Sequence, residues 1–371
     1  MTEIDLAMET ELRARRLLWY SGYFNRGNIH IYSEESHQDI AEIDVLGVRF
    51  DDLLNSNYMI IEAKSGQEKG FSSILKLKGF QEYFSSASTA IIRNNITPDI
   101  IKFSEDIGIR AYHLSRLDEI EEELGIKDDS WFGNFRKDCP DTIKANISLL
   151  RSVRGNNLGL FDNYWSIKNP FYKTKLLINM IKELTAKLDK ILDEMAQKAV
   201  QWLVLEYIIL LSISILESAS QLYALPSHQR ERIFTEKLIS GKLSYEEKET
   251  LIGNICAFVN GINRSRNRRF SPLKKEEMNQ LLNPPYAGDL YNLISLYIKY
   301  PGISSQVPRC IDLITYEYYM QDKEINWPDM YEFMDMSEDP LKLTLKLSRD
   351  IFRFIFQTNL PKFIHEFYFK E

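Results

Sequence analysis

The chain has 371 residues, 44% hydrophobic and 27% charged, long enough for two domains and too apolar for a disordered polymer. Its net charge of −7 excludes a protein that coats nucleic acid indiscriminately, although a local basic groove can work against an acidic background. Three widely separated cysteines, Cys139, Cys256 and Cys310, have no metal-ligand spacing and fit reduced thiols in a cytoplasmic protein. The start, Met1-Thr2-Glu3-Ile4-Asp5-Leu6, has neither the basic end nor the apolar stretch of a signal peptide.

Residues 9–20 are predicted as a helix with Leu12, Leu17 and Leu18 on its apolar side, closed by Gly22. Residues 29–32 read as a short strand. Residues 41–48 follow with a strand's period of two, so that Asp44 lies opposite Ile43 and Val45. A polar connection at 51–57 leads to a second apolar strand at 58–64. There Glu62 and Lys64 share one face, and Ile61 and Ala63 share the other. After a turn at 66–70, residues 72–84 form a predicted helix with Ile74, Leu77, Phe80 and Phe84 on one side. A strand at 89–92, a helix at 98–107 opened by Pro98, and a strand at 109–114 complete this part. The order of elements implies a mixed central sheet flanked by helices.

From about Asp118 strand signals nearly vanish. The boundary is expected in the acidic, loop-prone stretch 120–141, giving an α/β domain at 1–125 and a mostly α-helical domain at 126–371. No proline or glycine occurs between Pro170 and Pro226. Within that interval Leu177, Ile181, Leu184, Leu188, Ile191 and Met195 form a heptad seam, read first as intradomain core and second as a dimer contact. Residues 199–216 are strongly apolar, but Gln201 and Glu206 interrupt them and Glu217 closes them. The charge-free part, 207–216, falls far short of the ~20 residues needed to cross a bilayer. A central helix of a soluble domain is expected, with no membrane. Further helices are predicted at 229–239, 245–263, 274–282, 289–298 and 340–356.

Two adjacent apolar strands thus bring two carboxylates and one ammonium to a point. Mg²⁺ or Mn²⁺ takes oxygen ligands and keeps several waters, so Asp44 and Glu62, with the carbonyl of Ala63, suffice as protein ligands. Lys64 can orient a water or stabilise charge developing on a phosphate. The bland alternative is that Glu62 and Lys64 form an ordinary solvent-facing ion pair. Four arginines, Arg264, Arg266, Arg268 and Arg269, precede Phe270 and form a candidate phosphate-contacting patch. Its bland counterpart is a solvated helix end, where cations favour the dipole. His30, His37 and His113 are isolated and read as structural.

An Asp, a gap and a Glu-x-Lys on an apolar strand, after a helix that carries a glutamate, resembles the PD-(D/E)XK nuclease superfamily. The resemblance covers roughly residues 9–115, and Ile43 stands where the superfamily's name has proline. It implies a restriction-endonuclease-like α/β fold and metal-dependent cleavage of phosphodiesters, of DNA rather than RNA, with restriction or anti-phage defence as a role. It also implies that Glu11 on the first helix, or in competition Glu9, completes the site, and that Lys76, Lys78 or Gln81 contacts substrate. Ser65 and Gln67 fall in the turn beside the motif. Two other readings stand: a catalytically inactive nuclease-like module for nucleic-acid or protein interaction, and a helical scaffold whose α/β part is incidental. The helical part would then regulate, grip substrate, or join a homodimer or a regulatory protein partner.

Overall fold

The computed structural model describes residues 3–33, 36, 38–64, 70–85, 87–127, 129–152, 158–243, 245–266 and 271–368. Helix α1 (Glu3–Tyr20) buries Leu12, Leu17, Leu18 and Trp19. It closes through Gly22 at φ +82°, a conformation that costs a side chain dearly, with the amides of Gly22 and Tyr23 donating to Trp19 and Leu18 carbonyls. The chain then enters β1 (Phe24–Tyr32), β2 (Asp39–Phe50) and β3 (Ser56–Lys64), each antiparallel to the one before. The loop between β2 and β3 is held by Asp51, whose Oδ1 accepts from the amides of Leu53 and Asn55. Helices α2 (Gly70–Tyr83) and α3 (Pro98–Asp106) carry the crossovers to β4 (Ser88–Arg93) and β5 (Arg110–His113), which run parallel to their neighbours. The five-stranded sheet is ordered β1-β2-β3-β4-β5, with the expected sequence of helices and strands.

Alternation along the strands divides the sheet's two faces. Val45, Ile61, Ala90 and Ile92 pack with Ala14, Leu17 and Leu18 of α1 and with Leu117 of α4 (Ser115–Glu123). Gly47 permits this approach, since a Cβ there would come within 2.9 Å of Leu18 Cδ1. Leu46, Ile60 and Ile91 belong to the larger core, with Ile74, Leu77 and Phe80 of α2. That core runs on without a break into the helical part. Trp19 is wedged edge-on against Phe132 and Phe135, and its indole donates to the Phe333 carbonyl at 2.6 Å. Arg309 lies over the same indole, and Phe132 stacks on Phe333 at 4.0 Å. The packing is therefore continuous across the expected boundary at 125/126.

The helical part comprises α5 (Cys139–Ser152), α6 (Gly159–Asn163), α7 (Pro170–Leu188), α8 (Glu194–Tyr223), α9 (Ser227–Ser240), α10 (Tyr245–Arg266), α11 (Lys275–Leu282) and α12 (Ala287–Lys299), followed by further helices to Tyr368. Asn169 caps α7, with Pro170 in the first turn, and Asp193 caps α8. The cap at Asp193 corrects the heptad reading. Leu177, Ile181, Leu184 and Leu188 are buried in the chain's own core, but α7 stops at Leu188. Met195, on the next helix, is 66% exposed. The uninterrupted seam does not form, and the part that does is already covered, which removes it as a dimer face. Helix α8 is longer than the charge-free stretch suggests: it has 30 residues and by length and composition could cross a membrane. Its apolar window is 94% buried inside the protein, so protein takes the place that lipid would fill.

Candidate active site

The backbone ladder between β2 and β3 ends at Val45 opposite Ile61, and the residues of β2 before Asp44 pair with β1. Had the ladder continued, Asp44 would face Glu62. Instead the Asp44 side chain takes over, its Oδ2 accepting from the amide of Ala63 at 2.9 Å. The ladder stops here, and Asp44 and Glu62 each lie one residue beyond its last pair. Asp44 is 4% exposed and Glu62 2%. Buried carboxylates without partners cost several kcal/mol, so their surroundings need explaining. Asp44 has the amide, and Glu62 has Lys76 of α2, whose Nζ lies 2.9 Å from Oε2. The lysine side chain is 29% exposed, against 3% for the carboxylate it pairs with.

These two carboxylates lie on the Leu46 and Ile60 side of the sheet, by strand parity. Helix α1 packs through Ala14, Leu17 and Leu18 on the other side, and among the described residues no group of three His, Cys, Asp or Glu that could hold an ion is found. Glu9 pairs with Lys137 at 3.4 Å. Ala63 donates its N–H to Asp44 Oδ2. Lys64 closes β3 in register with Arg93, but its side chain lies outside the described residues, as do Ser65, Gln67 and His37.

Of the residues expected on α2, Lys76 pairs with Glu62, and Lys78 and Gln81 have other partners. Gln81 donates to Thr89 Oγ1 at 2.8 Å and to the Gly108 carbonyl at 3.1 Å, and Lys78 donates to Gln81. Thr89 is in register with Ile60, two residues before Ile91, the partner of Glu62. Gln81 thus ties α2 to the sheet, and Lys78 supports it. Arg264 and Arg266 are exposed in the last turn of α10, while Arg268 and Arg269 lie outside the described residues. Arg93 escaped the sequence reading. It shares a face with Glu62 by register and is 3% exposed, a cation at the end of an apolar strand. That termination was the available signal.

A second buried ionic cluster lies where β1 meets the helical part. Arg26 donates to Glu206 at 2.9 Å and to Asp312 at 2.5 Å, Tyr316 donates to Glu206 at 2.7 Å, and Asn134 donates to Asp312 at 2.6 Å. Burial, aided by Glu206 and opposed by Arg26, pushes the Asp312 carboxyl up to about 6. Burial lowers the neighbouring Arg15. A cavity of about 240 Å³ adjoins the cluster, walled by Trp165, Trp202 and Tyr316. Its components are separated by up to 286 residues in the chain, and no local pattern announced them.

No model of a known family, no curated protein and no solved structure gives a significant match to this chain.

Proposed function

We propose that this protein is a metal-dependent phosphodiester hydrolase acting on nucleic acid, with DNA favoured over RNA by analogy with the fold its sequence resembles. One observation carries the reading: Asp44 and Glu62 are buried together where the ladder between β2 and β3 stops, beside the end of a strand that finishes in Lys64. The donor set fits Mg²⁺ or Mn²⁺, since both side chains offer hard oxygen ligands and neither sulfur nor imidazole is present. Each carboxylate has two oxygens with two lone pairs apiece, so the bonds to Ala63 and Lys76 orient the groups without exhausting them. A bound divalent ion would polarise the scissile phosphate and ease ionisation of water. Asp44, fixed by the Ala63 amide, and Glu62 would hold it. Lys64 takes the part of orienting the attacking water, and Arg93 meets the charge that accumulates on the phosphate.

A second reading, an inactive nuclease-like binding module, has one observation in its favour: Lys76 supplies Glu62 with a positive charge from within the chain. The two readings separate in one assay. Supercoiled plasmid, linear DNA and RNA are incubated with Mg²⁺, Mn²⁺ or EDTA, using wild type and Glu62→Gln. The hydrolase reading expects nicked or linear product that EDTA and the substitution both abolish. Binding without cleavage under every metal condition supports the module. Cleavage that Glu62→Gln leaves unchanged removes the site assignment.

A further inference from the structure

Helix α10 carries an apolar stripe that its own chain leaves open. Leu251, Ile255, Phe258 and Ile262 follow at steps of four, three and four, which places them within one face about 100° wide. Leu251 is 48% exposed, Phe258 70% and Ile262 37%. The adjoining face of the helix is in use, with Lys248, Ile252 and Cys256 buried. Neither Ile252 nor Cys256 belongs to the molecule's two main cores. Helix α11 packs on α10, anchored by hydrogen bonds between Asn260 and Leu273. Among the described residues the pair makes no comparably extensive contact with another element. A stripe of this kind on a two-helix projection is the sort of patch that marks a contact surface.

The ends of the stripe identify what covers it. One four-residue step before Leu251 is Glu247, and one after Ile262 is Arg266, both exposed. Two copies of α10 laid antiparallel, about an axis between Ile255 and Phe258, match Leu251 to the partner's Ile262 and Ile255 to the partner's Phe258. The same superposition sets Glu247 against the partner's Arg266, and symmetry repeats that pairing at the other end. A parallel arrangement would set like charges together. The stripe is therefore complementary to itself, in apolar order and in charge. We propose that α10 forms the homodimer contact of this protein, two chains pairing antiparallel along Leu251, Ile255, Phe258 and Ile262. Arg266 then serves the interface rather than a phosphate. The inference is independent of the catalytic reading.

The test is the mass and dissociation constant of the full chain at micromolar concentration, by sedimentation or light scattering. Wild type is expected at twice the 43.5 kDa of one chain. Phe258→Glu, at a position already 70% exposed, should give a monomer with its thermal melt preserved. Glu247→Arg and Arg266→Glu should each weaken association by about tenfold, and the two together should restore it, because each new charge meets its opposite. Should Phe258→Glu fail to fold, the charge exchange tests the same register on the surface alone. A monomeric wild type, a dimer indifferent to Phe258→Glu, or a double charge variant weaker than either single one overturns the proposal. So does an Arg266→Glu protein that loses retention on nucleic acid while its mass stays dimeric.

Discussion

The molecule buries carboxylates in two places, and the two are built differently. At Glu206 and Asp312, acids from the helical part are met by Arg26 from β1, by Tyr316 and by Asn134, all buried or nearly so. At Asp44 and Glu62 the partners include one backbone amide and a lysine that solvent still reaches. The first arrangement joins elements far apart in sequence. The second lies where a ladder ends, and its two acids come from adjacent strands. Buried charge by itself therefore says little about function. The informative difference is the kind of partner: side chains from distant elements at Glu206 and Asp312, a backbone amide and a partly exposed lysine at Asp44 and Glu62.

This contrast can be broken by exchanging the expected effects. Asp44→Asn or Glu62→Gln should reduce cleavage by about 10⁴-fold, roughly 5.5 kcal/mol of barrier, with little change in melting temperature. Corresponding changes at Glu206 or Asp312 should leave cleavage per folded molecule intact. Arg26→Met should lower stability by about 3–5 kcal/mol, because it leaves two buried acids without their cation, and a urea melt measures this. An Arg26→Met protein as stable as wild type would mean that the cluster is not closed as the geometry indicates.

A pH series sharpens the same point. The folded protein holds the Asp312 proton up to about 6, whereas the ordinary value is 3.8. Stability from this group is therefore fully present below about pH 4, falls as pH rises toward 6, and is flat above. Asp312→Asn should remove that slope, so its melting temperature should gain on wild type between pH 4 and pH 7. Smaller effects are expected on α2. Lys76→Gln should raise Mn²⁺ affinity a few-fold in a calorimetric titration, since the ion no longer competes with an ammonium at Glu62; unchanged affinity would place the ion elsewhere. Gln81→Ala should cost about 1 kcal/mol of stability and leave cleavage alone, as a residue that ties a helix to the sheet requires.

The residues show where reading from sequence succeeds and where it stops. Period-two alternation in β2 and β3 put Asp44 and Glu62 on one face because strand geometry alone sets that parity. Local rules of the same kind, helical spacing and an opening proline, found α2 and α3, and strand patterning found the last two strands. These rules gave no guide to Gln81, whose partners are Thr89 and Gly108, and they passed over Arg93, whose neighbours are on other strands. The heptad from Leu177 was read correctly as far as Leu188. Beyond it the pattern of apolar residues persisted while the backbone broke, because Asp193 caps a new helix.

What the sequence determined by itself is the order of elements, the mixed sheet, the parity that groups Asp44 with Glu62, and the apolar character of α8. These follow from interactions within a turn or along a strand. Tertiary structure decided that α1 covers the opposite face from the two carboxylates, that Lys76 meets Glu62, that Arg26 closes Glu206 and Asp312, and that the core runs through both parts. It also decided which apolar stripe is left over: the seam of α7 is buried, and that of α10 is open. Those outcomes depend on which surfaces meet across hundreds of residues, and burial is a property of the assembled neighbours rather than of any one segment.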